Sequence, residues 1–193
     1  MLKQIFRNYF YALITPTNTE EILNKIKNAK IDKEKKLFWT ASHKQEFLTT
    51  KELGPLLIPS VSKFFREDVG YKKNVSVMLQ SIWRNTYKKG DYQNIHDHLY
   101  GYDDADLSGC IFLEDDNLDA SRFYFYNRHQ SEISGFWRSI VNSVGLNNHF
   151  HTWWISHKAG DILFFPSHML HGVSQHNLKQ PRQTVSFNMK VKI

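Results

Sequence analysis

Residues 74–98 read NVSVMLQSIWRNTYKKGDYQNIHDH. Apolar side chains alternate at Val75, Val77 and Leu79, and the run continues through Ile82 and Trp83 to Tyr87. That period of two is the signature of a strand with one buried face. A second, shorter strand is expected over Asn94 to His98, and it carries His96-Asp97-His98. On a strand, residues i and i+2 point to the same side. Two imidazoles can therefore approach one metal ion from a single strand. By the same rule Asn94 shares their face, and Tyr92 does too if the strand extends that far.

Downstream the strand-like pattern repeats at Leu107–Leu113, Arg122–Tyr126, Thr152–Ser156, Asp161–Phe165, Leu170–Ser174 and Gln183–Lys192. Many short strands at close spacing argue for a sandwich or a barrel. The stretch from Asn127 to Asn148 interrupts them, and Phe136, Trp137, Ile140 and Val141 at helical offsets predict a helical insertion there. Upstream, Ile5 to Ile14 reads as an edge strand. Asn18 with Glu21 resembles a capping box ahead of Ile22, Leu23 and Ile26. Lys51 to Val69 predicts a helix that begins after Pro55 or Pro59 and packs on the sheet. The expected organisation is a single domain over 1–193: mixed N-terminal helices and an edge strand over 1–74, and a β core over 75–193.

Composition is consistent with this. Apolar residues make up 41% of 193, charged residues 23% and aromatics 15%, an ordinary globular mix rich in rings that suit half-buried strands. No apolar run approaches the roughly 18 residues of a membrane span, so no membrane partner is expected. The single cysteine, Cys110, has no internal disulfide partner, and a reducing, cytoplasmic setting is expected. The net charge of +6 reads as a lysine-rich solvated surface, since the lysines are scattered. An anionic partner such as nucleic acid is the sharper alternative, without a clear basic stripe to support it.

A second HxH, His149-Phe150-His151, shows that the first needs support from elsewhere. Residues 160–171, GDILFFPSHMLH, supply it. Asp161–Phe165 forms an apolar strand, Pro166-Ser167 a turn, and His171 opens the next strand. A hairpin delivering one His opposite a strand delivering two gives three facial ligands with positions left open. Further on, Arg182 and Thr184 share one strand face. A guanidinium there, beside a hydroxyl, is suited to gripping a carboxylate.

Together these residues resemble the Fe(II)- and 2-oxoglutarate-dependent oxygenases, over about Ser81 to Ile193. That family uses His-x-Asp/Glu, a distant His, and an Arg-x-Ser or similar pair for the far carboxylate of 2-oxoglutarate. The segment NTYKKGDYQNIHDH is similar to the N-x-Y-x-x-G-x5-H-x-D stretch of the nucleic-acid dealkylating branch. The pattern HxH…LSG…FPS…H…R…SFN resembles a group of oxygenases common in phage and marine bacterial genomes; His96-His98, Leu107-Ser108-Gly109, Phe165-Pro166-Ser167, His171, Arg182 and Ser186-Phe187-Asn188 carry it. The resemblance implies a double-stranded β-helix of jelly-roll, cupin-like type, mainly β with flanking helices. It implies Fe(II) on His96, His98 and His171, and 2-oxoglutarate held by Arg182 with Thr184 or Ser186. Asn85 and Tyr87 would orient the cosubstrate, with Tyr92 and Asn94 flanking the ligand strand. Its chemistry would be decarboxylation of 2-oxoglutarate with O2 and hydroxylation of a C–H bond in a further substrate.

One departure is plain: His98 stands where the wider family has Asp or Glu. Three neutral imidazoles leave the full charge of the metal uncancelled. Asp97, Asp103, Asp104 or Asp106 is the alternative source of a carboxylate ligand. The same residues resemble a cupin, with Gly90, His96, His98 and Asp103 on one motif and Gly160, Pro166 and His171 on the other. That would give a dioxygenase or isomerase without 2-oxoglutarate. A non-catalytic binding module on the same barrel is the third reading.

Overall fold

The alternation that begins at Val75 turns into paired strands, and the pairing decides which residues meet. The computed structural model describes residues 3–6, 9–35, 41–99, 104–127 and 152–192. In chain order these form β1 (Lys3–Phe6), β2 (Tyr9–Ile14), α1 (Thr19–Lys27), β3 (Lys44–Phe47), α2 (Thr50–Lys63), β4 (Ser76–Tyr87), β5 (Gln93–His96) and β6 (Leu107–Phe112). They continue with β7 (Phe123–Tyr126), β8 (Thr152–Trp154), β9 (Ile162–Pro166), β10 (His171–Val173) and β11 (Arg182–Lys192). The helical insertion expected over 127–148 falls, beyond Asn127, outside the described residues, as do Asp103, His149 and His151.

The strands form two antiparallel sheets. The larger runs β1-β2-β9-β6-β11-β4-β3 and the smaller β5-β10-β7-β8. Successive strands from β4 to β11 are shared between the two sheets, the winding of a double-stranded β-helix. All eight strands of this core stand where the alternation placed them, with ends shifted by a few residues.

Parity along the larger sheet separates two interiors. Ile82, Leu107, Ile111, Ile162, Phe164, Val185, Phe187 and Met189 join Ile22, Ile26, Leu53, Leu57, Val61 and Phe64 in an apolar core between sheet and helices. The alternate residues face the smaller sheet, where Tyr87, Cys110, Phe112, Leu163 and Phe165 pack with Phe123, Phe125 and Val173. Asn85, Ser108, Arg182, Thr184 and Asn188 are buried on that same inner face. Burying five polar side chains costs free energy unless each finds a partner, so this face is the place to look for chemistry.

Two helix expectations are corrected. Helix α2 starts at Thr50 and runs through both Pro55 and Pro59. Its buried stripe of Leu53, Leu57 and Val61 packs on the sheet, and that packing outweighs the propensity of two prolines. At α1, Asn18 is the N-cap residue but makes no capping bond. Its side chain donates to the Leu56 carbonyl instead, tying α1 to α2. Among the described residues no helix is long and apolar enough to cross a membrane.

Candidate active site

His171 and His96 are direct partners across the β10–β5 ladder. Ladder geometry alone therefore sets two imidazoles side by side, with ring centroids 4.3 Å apart. Strand β5 ends at His96, so His98 is not on the strand that was expected to carry both. It sits in a bend whose backbone N–H donates to the Ser167 carbonyl at 2.9 Å. The bend still delivers the ring: His98 lies 5.1 Å from both His96 and His171, measured between centroids. One ligand atom from each of the three lies within 4.8 Å of the others. Among the described residues no carboxylate joins this cluster. Asp104 and Asp106 are engaged with Lys190, and Asp97 accepts the backbone N–H of Leu99.

The surroundings favour neutral imidazoles. Burial holds His98 down to about 3, and holds His96 and His171 below the ordinary histidine range. Phe123 stacks on His171 and Phe165 meets its edge. The Nδ1 of His96 lies 2.8 Å from the Asn94 carbonyl, and that of His171 2.8 Å from the Met169 carbonyl. Carbonyls only accept, so both Nδ1 atoms carry the proton and both Nε2 lone pairs face inward. Such a donor set fits a divalent transition metal with open positions.

The cavity beside this cluster has a volume of about 1070 Å³ and is lined by residues of both sheets. Asn85, Tyr87, Asn94, Arg182, Thr184 and Ser186 all border it, together with the three histidines. Tyr92 does not: β5 begins at Gln93, and the Tyr92 ring is 43% exposed on a separate groove. The exposed His168 lies outside the cavity lining too.

Register explains the polar end. Thr184 pairs with Asn85, and Arg182 with Tyr87, across β11 and β4. The Asn85 amide donates to Ser186 at 2.9 Å and to Thr184 at 3.3 Å, while its oxygen lies 3.0 Å from Gln45 and 3.1 Å from His43. Asn85 is thus a strut whose bonding capacity is used within the protein. Arg182 is 3% exposed, and no carboxylate pairs with it among the described residues. The nearby Asp116 is taken by Arg122 in a two-pronged pair at 3.1 and 2.8 Å. A buried guanidinium without an anion calls for an anionic ligand.

Two residues of this site escaped the sequence reading. His43 stacks on Tyr87 with centroids 4.2 Å apart, and His157 accepts from the Arg182 guanidinium at 3.1 Å. His157 also lies flat on Phe112, 3.6 Å between centroids, and is held at about 4 by burial and then by the Arg182 charge. Both are lone histidines outside any motif, and no local pattern marks them.

Comparison with known proteins adds the following. The model of a family described as "Putative 2OG-Fe(II) oxygenase" matches residues 81–188. No curated protein matches this sequence. Among solved structures, an oxidoreductase of the 2OG-Fe(II) oxygenase family from Burkholderia pseudomallei superposes with a TM-score of 0.59 at 11% identity, covering 93% of this chain and 84% of the other. HygX from Streptomyces hygroscopicus, with nickel and 2-oxoglutarate bound, gives 0.58 at 11% identity, covering 96% and 84%. The viral collagen prolyl hydroxylase of Paramecium Bursaria Chlorella virus-1, as its 2OG complex, gives 0.53 at 12% identity, covering 93% and 94%. At these identities the structural likeness establishes the double-stranded β-helix fold.

Proposed function

The chain belongs to the 2OG-Fe(II) oxygenase family, and from that premise we propose that it hydroxylates a C–H bond, with His96, His98 and His171 as the metal ligands and Arg182 as the anchor for 2-oxoglutarate. The observation that carries the reading is the buried guanidinium of Arg182, which meets no carboxylate among the described residues, on the cavity that the three imidazoles also border. Fe(II), 2-oxoglutarate and O2 supply the chemistry when bound: the substrate gains a hydroxyl, and 2-oxoglutarate is oxidised to succinate and CO2.

The residues of the chain bind, orient and exclude water. His96, His98 and His171 present neutral nitrogens and leave open positions. Arg182 offers a fork that matches a carboxylate, with the Thr184 hydroxyl on the same strand face. Asn85 holds Thr184 and Ser186 in place. Phe112, Phe123 and Phe165 keep the inner wall apolar, which strengthens each polar contact made there. At the rim, Glu34, Lys35, Gln80 and the 58%-exposed Met78 flank the route by which a substrate would enter. The finer likeness, to the phage and marine bacterial group, is part of the same reading and rests on the HxH…LSG…FPS…H…R…SFN pattern.

The test is an anaerobic titration with Fe(II) and 2-oxoglutarate, following the metal-to-ligand charge-transfer band in the visible. The band is expected with the wild type, and its half-saturation is expected to move up at least tenfold in Arg182→Ala. A wild type without the band, or an Arg182→Ala variant that titrates like it, overturns the proposal.

A further inference from the structure

A buried ring stands behind the polar end of the cavity. Ser42 clamps Tyr92, accepting its backbone N–H at 2.7 Å and donating to its carbonyl at 2.6 Å. The clamp sets His43, the buried residue that precedes β3, between two oxygens. Its Nδ1 lies 3.3 Å from the Tyr92 carbonyl, and its Nε2 lies 3.1 Å from Asn85 Oδ1. The face of the ring stacks on Tyr87. His43 does not border the cavity, whereas Asn85, Thr184 and Ser186 do. Any effect of His43 on a bound molecule must therefore pass through a neighbour.

Donor directions follow outward from this ring. Burial lowers the pKa of His43, so near neutral pH it carries a single ring proton. The Tyr92 carbonyl already receives the Ser42 hydroxyl, and the Asn85 oxygen is the nearer acceptor, which puts the proton on Nε2. Gln45 donates to the same oxygen at 3.0 Å, in the same sense. An amide has the same shape either way round, and only its partners tell the two directions apart. With donors on its oxygen, Asn85 turns its nitrogen toward β11. That nitrogen has two protons, one for Ser186 at 2.9 Å and one for Thr184 at 3.3 Å. Each hydroxyl then accepts from Asn85, and its own proton points elsewhere. The buried thiol of Cys110, directly across the ladder from Ser186, is hydrogen-bonded with both hydroxyls, and sulfur is a weak acceptor. An anion beside Arg182 would draw both hydroxyls away from it. With Asn85 reversed, the hydroxyl protons would go to its oxygen, and their lone pairs would face the anion.

We propose that His43 is a positioning residue for 2-oxoglutarate: by donating to Asn85 it fixes the Thr184 and Ser186 hydroxyls as donors toward the carboxylate held by Arg182. The guanidinium supplies the charge. The hydroxyls supply two further donors, and hydrogen bonds to an ionised group are the strong ones. Register makes the relay possible, since Asn85 pairs with Gln45 of β3 on one side and with Thr184 of β11 on the other. The inference rests on the cosubstrate reading above and on no property of the metal ligands.

The experiment compares two keto acids in the anaerobic Fe(II) titration: 2-oxoglutarate, and 2-oxopentanoate, which keeps the keto acid but lacks the far carboxylate. His43→Phe keeps a ring to stack on Tyr87 and removes the donor. Its half-saturation for 2-oxoglutarate is expected to rise roughly three- to tenfold, with that for 2-oxopentanoate unchanged. His43→Gln, whose amide nitrogen can donate to Asn85, is expected to recover most of the loss. A His43→Phe protein that binds 2-oxoglutarate as the wild type does would overturn the inference. So would one that weakens both keto acids alike, since that is the mark of a disturbed scaffold. A second measurement needs no variant to fold. In long-range 1H–15N spectra of the full chain labelled with 15N-histidine, His43 is expected as the Nε2–H form, and a proton on Nδ1 alone would overturn the relay. A wild type that gives no band with 2-oxoglutarate would remove the cosubstrate reading itself, a result readable apart from the His43 tautomer.

Discussion

Among the described residues Arg182 has no acidic partner, and a neutral histidine sets its direction. His157 accepts from Nη2 at 3.1 Å, and Ser121 lies 3.5 Å from Nη1. With Nε2 used as the acceptor, the His157 proton sits on Nδ1, which is buried and has no hydrogen-bond partner among the described residues. The flat stack on Phe112 keeps the ring there in spite of that cost. His157→Ala would leave the guanidinium with one acceptor fewer and a void beside Phe112. The half-saturating 2-oxoglutarate concentration in the anaerobic titration is expected to rise about tenfold, the effect of about 1.4 kcal/mol lost from a charge-assisted bond. His157→Gln, which restores an acceptor oxygen, is expected to recover part of it. Equal affinity in His157→Ala and wild type would show that the fork needs no outside support.

At the scale of elements, one glycine shows how tightly the core strands are drawn together. A Cβ on Gly109 would lie 2.2 Å from the Phe187 ring and 2.5 Å from the Leu163 carbonyl. Strand β6 passes between β9 and β11 with Phe187 laid across it, and only a hydrogen fits there. Gly109→Ala is expected to lower stability by about 1–3 kcal/mol, as overpacking does. Urea unfolding would read this, and a wild-type midpoint would refute the close approach. The strands themselves were legible because alternation is a local property of sequence, and a buried face enforces it. Their meeting points were less so. His98 was expected on β5, but the ladder stops at His96 because the next free N–H is taken by the Ser167 loop. Tyr92 was expected inward on the assumption of a longer strand. Pro55 and Pro59 suggested a late start for α2, since the packing that overrides them involves residues distant in the chain. His43 and His157 were invisible for the same reason: each acts through partners 25 to 42 residues away. Register, not spacing, brings them together.

Across the whole molecule, buried histidines make the fold sensitive to acid. His157 is held at about 4 by burial, with Arg182 and Arg122 lowering it further and Asp116 and Asp161 opposing. His43 is lowered in the same sense, again by burial. In the unfolded chain both return to about 6.5. Between about 6.5 and 4 the unfolded state therefore binds protons that the folded state refuses. Stability then rises with pH across that window and is lost as pH falls through it. The net charge of +6 at neutrality adds to the effect, since each further proton joins a molecule already positive. Metal-free protein is accordingly expected to lose thermal stability steadily from pH 7 to pH 4.5, while His157→Gln should show a shallower slope by close to one proton. Zn(II) should raise the melting temperature most at neutral pH, where it binds the folded form and meets least competition from protons. Melting curves at half-unit steps of pH would test both points. A melting temperature that did not change between pH 7 and 4.5 would mean that these rings are not held neutral, and the desolvated inner face described above would have to be open to water.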